Sequence, residues 1–450
     1  MTDTICALAT APGGALGIIR VSGPQSFDAV SSVCHCQIAT LPPNTISYSH
    51  IMDGSEIIDE AMVSVFHSPH SYTGEDSAEI SCHGSPYILH KVLELLIHHG
   101  CRMAQPGEYT MRAYFNGKLD LSQAEAVADL IASTNRATHQ IAMSQLRGGI
   151  STELAKLREK LLHLTTLLEL ELDFSDHEDL EFADRSELLS LAETIETHIS
   201  RLAKSFETGQ ALKQGIPVAI IGKTNVGKST LLNKLLKEER AIVSAIHGTT
   251  RDTIEDAIDI NGVNFRFIDT AGLRQTTDTI EQIGISRSYA AIDRAQIILW
   301  LIDRQPSEED VKDMMCRSKE KTLIVVLNKI DSIDNSGIQI PLSDTQLIRI
   351  SAKTGQNLSI LENAIYSSAH IEMFRESDVI VTSARQYQEL QRAQQSIKRV
   401  LTAMTAGLSA DLIAEELKQT LESLETITGL EIITPQETLN NIFSHFCVGK

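Results

Sequence analysis

"GKTNVGKS", Gly222 to Ser229, decides the reading of this 450-residue chain. It has the spacing G-x-x-x-x-G-K-[ST], ends the apolar run "IPVAIIG", and leads into the helix-forming "TLLNKLLKE". A strand that turns through glycines into a helix offers successive backbone N–H groups and a positive helix end to phosphate oxygens. The Lys228 ammonium can reach the outer phosphates, and the Ser229 hydroxyl can ligate magnesium. Asn225, Val226, Gly227, Lys228, Ser229 and Thr230 are therefore the expected phosphate-binding segment.

Four further motifs follow downstream: "GTTRD" (Gly248 to Asp252), "DTAG" (Asp269 to Gly272), "NKID" (Asn328 to Asp331) and "SAK" (Ser351 to Lys353). Their order is that of a Ras-like GTPase. The expected nucleotide contacts are Ser244, Ala245, Ile246, His247, Gly248, Thr249 and Thr250, then Asp269, Thr270, Ala271 and Gly272. Asn328, Lys329, Asp331, Ser351, Ala352 and Lys353 complete them. Thr250 is the second hydroxyl for magnesium beside Ser229. The Asp331 carboxylate can accept both N–H groups on the guanine edge, whereas adenine would leave it unpaired, so GTP is favoured over ATP. After Gly272 comes Leu273, where Ras-like switches often carry a Gln that orients the attacking water. Leucine orients nothing. An amide oxygen on Asn225 can help hold a monovalent cation against the phosphates, and Arg274 and Glu281 lie just beyond Leu273.

Around this centre the chain changes texture. Strand-like runs "VNFRFIDT", "QIILWLID", "TLIVVLNK" and "QLIRISAK" alternate with helical segments, the pattern of a mostly parallel α/β sheet over 213–373. Upstream, Leu154, Leu157, Leu161, Leu164, Leu168 and Leu172 keep three- and four-residue steps, which predicts a helix with a bundle-core face. Helical texture returns after the α/β stretch, so 119–212 and 374–450 are expected to form one discontinuous helical domain with the GTPase unit inserted. Residues 1–118 mix "LGIIRVSG", "AMVSVFHS" and "SAEISCHG" with one helix, an α+β domain.

A net charge of −20 argues against a broad non-specific nucleic-acid surface. Seven scattered cysteines without a C-x-x-C pair suit reduced thiols in a cytosol. Cys34-His35-Cys36 has no second ligand pair at a zinc spacing, and the acid-rich stretch from Glu169 to Glu187 reads as a solvated helix end or loop. "AQIILWLI" suits a buried strand and is too short to span a bilayer. The chain is expected to be cytoplasmic, without membrane contact.

Three more stretches carry a resemblance: "GIIRVSG" (Gly17 to Gly23), "YTGEDSAEISCHG" (Tyr72 to Gly84) and "QPGEYTMRAYFNGKLDLSQAEAVADLI" (Gln105 to Ile131). With the terminal "FCVGK" (Phe446 to Lys450) and the GTPase motifs, the chain resembles the MnmE (TrmE) family of tRNA-modification GTPases over its whole length. Tyr72 stands where that family more often has Phe, and Val448 where it has Ile or Leu.

The resemblance implies that potassium takes the place of an arginine finger and promotes dimerisation, with ligands at Asn225, Ser244, Ile246 and Thr249. It implies that Glu281 orders the attacking water and that Arg274 is the switch arginine. It makes 1–118 a tetrahydrofolate-binding dimerisation domain, holding a 5-formyl- or methylene-tetrahydrofolate through Arg20, Glu79, Lys118 and Lys450. A carboxylate can accept paired N–H groups from a pterin edge, and cations suit the folate glutamate tail. Cys447 stays open between a nucleophile, a wall of the folate site and a buried small apolar residue. The implied partner is a flavoprotein of the MnmG (GidA) family, bringing FAD and NADH within a heterotetramer. The joint reaction adds an aminomethyl or carboxymethylaminomethyl group at carbon 5 of the wobble uridine of certain tRNAs. The alternatives are a ribosome-assembly or RNA-binding regulatory GTPase, and a folate-dependent methyltransferase with a regulatory GTPase insert.

Overall fold

The computed structural model describes residues 3–34, 36–173, 185–238, 256–268, 290–332, 338, 346–369 and 379–429, and near the end 439, 442–444, 446 and 449. The chain divides into two compact units. One comprises 1–132, 142–203 and 383–450, the other 133–141 and 204–382.

The first unit opens with β1 (Thr4–Leu8), β2 (Leu16–Ser22), α1 (Ser26–Val33), β3 (Thr45–Asp53), β4 (Glu56–Phe66), β5 (Ser77–His83), α2 (Pro86–His98), β6 (Cys101–Met103) and α3 (Glu108–Phe115). Its six-stranded sheet has the order β3-β4-β5-β2-β1-β6, with only β1 and β6 paired in parallel. Alternation along the strands explains which face is covered. Ile19, Val21, Val63, Val65, Ala78 and Ile80 share one core with Val30 of α1 and Leu89, Val92 and Leu96 of α2. The residues between them, Arg20 and Glu79, therefore belong to the other face, where the β2–β5 register sets them directly opposite each other.

Four helices follow: α4 (Leu121–Ala132), α5 (Arg136–Leu146), α6 (Gly149–Asp173) and α7 (Arg185–Gln214). The predicted leucine face is real, since Leu154, Leu157, Leu161, Leu164 and Leu168 of α6 are buried. The side chain of Leu172 and most of the acid-rich stretch lie outside the described residues.

In the second unit come β7 (Ile216–Ile221), α8 (Lys228–Glu238), β8 (Asp256–Ile260), β9 (Val263–Phe267), β10 (Ile297–Ile302), α9 (Glu308–Arg317), β11 (Thr322–Leu327), β12 (Gln346–Arg349) and α10 (Leu358–Ser368). Its sheet has the order β12-β11-β10-β7-β9-β8, parallel except for the β8–β9 pair. Asn261 and Gly262, both at positive φ, close that pair as a two-residue hairpin turn requires. The strand β10 shows why its sequence is apolar throughout. Ile297, Leu299 and Leu301 face a core with Leu231 and Leu235 of α8 and Leu361 of α10. Ile298, Trp300 and Ile302 face another with Val311 and Met314 of α9. Both faces are covered, so alternation disappears.

The chain then returns to the first unit as α11 (Ala384–Thr405) and α12 (Ala410–Thr428). Arg158 of α6 pairs with Glu425 of α12 at 2.9 Å, and Arg385 of α11 pairs with Glu125 of α4 at 2.8 Å. Arg385 also donates to the carbonyls of Thr426 and Ile427, satisfying the last turn of α12. The α/β GTPase-type unit is thus inserted in the sequence between parts of a helical region that follows an N-terminal α+β domain.

Candidate functional site

Three predicted motifs leave the carboxyl ends of parallel strands: the phosphate loop after β7, Asn328 to Asp331 after β11, and Ser351 to Lys353 after β12. Ligands of open α/β sheets bind at that edge. Lys228 opens α8 and donates from Nζ to the carbonyls of Gly222 at 2.6 Å and Lys223 at 2.8 Å. Its burial lowers the ammonium pKa from the usual lysine value, a penalty that an anionic ligand would offset. Gly227 has φ +101°, and a Cβ there would overlap the Asn328 amide nitrogen. Glycine is therefore required. Val226 is buried, Ser229 half-buried and Thr230 exposed. Asn225 stands at φ +62°, exposed, with no side-chain partner among the described residues.

Asn328 joins two motifs. Its Nδ2 donates to the Val226 carbonyl at 2.8 Å, and its Oδ1 accepts the Ala352 N–H at 2.9 Å. The exposed Asp331 accepts the Ser351 hydroxyl at 2.6 Å, which is the main cause holding its carboxyl below the usual range. It is therefore anionic at neutral pH, as an acceptor for guanine must be. Lys329, at φ +66°, donates to Asp303 at 2.8 Å, and Lys353 is exposed. Two charges not foreseen from the motifs also brace the site. Asp303 fixes Lys329, and Asp310 of α9 pairs with Lys223 of the phosphate loop at 2.8 Å. The only sequence signal for Asp310 was local, its place three residues after Ser307 in a capping box.

Ser244, Ala245, Ile246, His247, Gly248, Thr249 and Thr250 lie outside the described residues, as do Asp269, Thr270, Ala271, Gly272, Leu273, Arg274 and Glu281. So do Cys447 and Lys450.

In the first unit, Arg20 and Glu79 meet as the register requires. The Arg20 Nε and Nη2 atoms both reach Glu79 Oε1, at 2.8 and 2.7 Å. Arg20 Nη1 donates to the Gly449 carbonyl at 3.3 Å, so a residue 429 positions away reaches the same place. The guanidinium lies 5.9 Å from the Tyr72 ring centroid and 5.7 Å from that of Tyr109, within cation–π range of both. Lys118 goes elsewhere, donating to the Pro69 carbonyl at 2.9 Å.

The tyrosine walls rest on α3. Tyr72 hydrogen-bonds through its hydroxyl to Thr110, and the Tyr109 hydroxyl donates to the Arg20 carbonyl. Beneath them, fully buried Arg112 pairs with Asp3, Glu75 and Glu108 at 2.9, 3.0 and 3.0 Å. Burial alone would raise the Glu108 carboxyl, but donors from Arg102, the Gln105 N–H and Arg112 outweigh it and leave its pKa below the usual range. This network was missed in the sequence, because nothing local in "QPGEYTMRAYF" marks Arg112 as interior.

A phosphate loop at the carboxyl edge of a parallel sheet, tied by Asn328 to the loops that carry Asp331 and Ser351, defines a P-loop GTPase. The family model described as "GTP-binding protein TrmE N-terminus" matches residues 4–118, and the MnmE helical domain matches 121–447. The tRNA modification GTPase MnmE of Bacteroides thetaiotaomicron is 51% identical over 100% of this chain and 99% of its own length. That of Porphyromonas gingivalis is 50% identical over 100% and 98%. The chain belongs to the MnmE family of tRNA modification GTPases, and it is a GTP-hydrolysing enzyme. Partial likeness extends to the G domain of the T. maritima FeoB iron transporter: 23% identity, TM-score 0.26, 34% of this chain and 99% of that one. A Sulfolobus solfataricus GTP-binding protein in complex with GDP gives 22% identity and TM-score 0.24, over 48% and 67%. The assignment rests on neither of these.

Proposed function

We propose that the chain acts as a potassium-stimulated, dimeric GTPase in the modification of wobble uridine at carbon 5 in certain tRNAs. Its domains are 1–118, the helical 119–212 with 374–450, and the GTPase unit 213–373. In the GTPase unit, Lys228 binds the β- and γ-phosphate oxygens, Ser229 and Thr250 hold magnesium, and Asp331 reads guanine. Asn225 contributes an amide oxygen to potassium, with Ser244, Ile246 and Thr249. A cation held between two closed GTPase units in a dry interface stabilises the charge developing on the γ-phosphate, work that Leu273 cannot do. Glu281 orders the water, and Arg274 acts in the switch. Support for the cation comes from Asn225, which is exposed and whose amide has no partner among the described residues.

In the N-terminal domain, Glu79 accepts the N–H groups of a 5-formyl- or methylene-tetrahydrofolate pterin, while Arg20, Lys118 and Lys450 serve its glutamate carboxylates. Cys447 lies at that site in this reading. The folate carbon enters the aminomethyl or carboxymethylaminomethyl group, and an MnmG (GidA) flavoprotein supplies FAD and NADH chemistry in a cytoplasmic heterotetramer. GTP hydrolysis drives opening and closing of the GTPase units, a two-state switch biased by the γ-phosphate.

One observation carries the reading. A single chain joins the phosphate loop to the Arg20–Glu79 site, over a length matched end to end by relatives named tRNA modification GTPases. Mass spectrometry of tRNA nucleosides from a deletion strain tests it. Loss of aminomethyl-type wobble uridines is expected, and an unchanged nucleoside profile would contradict it.

A further inference from the structure

Arg20 occupies the position that its own site offers to a ligand. A planar guanidinium lies within reach of two tyrosine faces, with two of its nitrogens on Glu79 Oε1. The amino-pyrimidinone edge of a pterin is itself a guanidine unit, a 2-amino group beside a ring N–H, locked into a flat heterocycle. Glu79 Oε1 already takes two Arg20 nitrogens, so a pterin edge that needs both carboxylate oxygens must displace them. Arg20 also faces two demands at once. While on Glu79 and the Gly449 carbonyl, it is not free to meet the carboxylates of a folate tail.

We propose that Arg20 is an internal gate of this site: its guanidinium holds Glu79 as a pterin mimic when no ligand is bound, and a folate opens the site by drawing Arg20 away to its glutamate tail. The inference rests on the folate reading of Arg20 and Glu79. It adds an order of events and a selectivity. A pterin without a tail replaces Arg20 on Glu79 but leaves the guanidinium without a carboxylate, whereas a folate also gives Arg20 a new one. The gate therefore discriminates against free pterins, which share the ring of the folate but carry no one-carbon unit between ring and tail. Two features of the site suit the exchange. The pair is partly exposed, with side-chain exposures of 23% and 25%, so breaking it does not strand a buried charge. The stacking faces belong to Tyr72 and Tyr109, which are anchored separately to Thr110 and to the Arg20 carbonyl, so they stay in place when the guanidinium leaves.

The test is direct binding by calorimetry on the full chain, with 6-methyltetrahydropterin as the tail-less probe and 5-formyltetrahydrofolate as the complete one. The variants are Arg20→Met, Arg20→Lys and Glu79→Gln, each checked for an unchanged melting profile. A site whose open form is a minor one, at about 10% or less, binds its ligand about tenfold or more below its intrinsic affinity. Arg20→Met is therefore expected to gain about tenfold or more for the tail-less pterin and to gain nothing, or lose, for the folate. Arg20→Lys keeps the charge but not the flat paired donor, and is expected to gain for the pterin likewise. Glu79→Gln is expected to weaken both probes. If the unaltered chain binds the folate but neither Arg20 variant gains affinity for the pterin, the gate is overturned and the folate reading stands. If no form binds either probe, the folate reading is overturned and the gate with it.

Discussion

The Asn328 side-chain nitrogen donates to the Val226 carbonyl across 102 residues of sequence, at 2.8 Å, and so fixes the phosphate loop to the Asn328–Asp331 loop. The same amide accepts from Ala352, so one buried side chain sets the spacing of three motifs. Asn328→Ala leaves the Val226 carbonyl and the Ala352 N–H unpaired inside the protein, at about 1–3 kcal/mol for each group. Thermal unfolding should move to lower temperature and GDP affinity, read by a fluorescent analogue, should fall. Unchanged nucleotide affinity would show that the three motifs hold their spacing without this amide.

Gly227→Ala is expected to be more severe for binding than its size suggests. The backbone is at φ +101°, and the added methyl overlaps Asn328 Nδ2. A non-glycine residue in such a conformation costs about 1–3 kcal/mol before any overlap is counted. Nucleotide binding should be lost while the separate N-terminal unit keeps its own melting transition. Nucleotide titration and calorimetric melting check the two halves of that statement.

Asp331→Asn exchanges an acceptor pair for one acceptor and one donor. Guanine loses a hydrogen bond to a charged group, about 1.5–3 kcal/mol, and xanthine, with a carbonyl in place of the 2-amino group, gains a donor. Competition between GTP and xanthosine triphosphate should therefore reverse in favour of the latter. Ser351→Ala removes the hydroxyl that holds the Asp331 carboxylate, so it should weaken GTP without changing that preference.

Acid stability of the N-terminal domain should follow Glu108. Its folded pKa lies below the ordinary value of 4.5, so its contribution is fully present above that value and is lost as pH falls through the folded pKa. Glu108→Gln removes one of three carboxylates from the fully buried Arg112, which keeps Asp3 and Glu75. The loss near neutral pH should therefore fall below the about 3–5 kcal/mol of a stranded buried charge. The gap between variant and unaltered chain should then shrink below pH 4.5, measured by denaturant unfolding at several pH values. A gap that stays constant down to pH 3 would mean that Glu108 adds no charge-dependent stability.

Much of this was legible in the sequence, and the limits are physical. β10 was readable because a strand covered on both faces is apolar throughout, and α6 because its leucines repeat at helical steps. The edge strand β8 was not singled out, although the Asn261-Gly262 pair beside it is a hairpin signal. The phosphate-loop pattern from Gly222 to Ser229 was readable because it is local, one short stretch between a strand and a helix. The Arg20–Glu79 pair joins residues 59 apart through strand register, and Arg112 joins Asp3 from 109 residues away. Register and burial of that kind are set by tertiary pairing, which no local pattern encodes. Charged residues in such places look like surface charges until the strands are paired.

The central claim is that a monovalent cation replaces the catalytic side chain missing at Leu273. The most direct measurement is steady-state GTP turnover in potassium against sodium at equal ionic strength, for the unaltered chain and for Asn225→Ala. The account predicts markedly faster turnover in potassium, with most of that difference lost in the variant while GDP affinity changes little. Equal rates in the two salts, or a potassium effect that survives in Asn225→Ala, would contradict it.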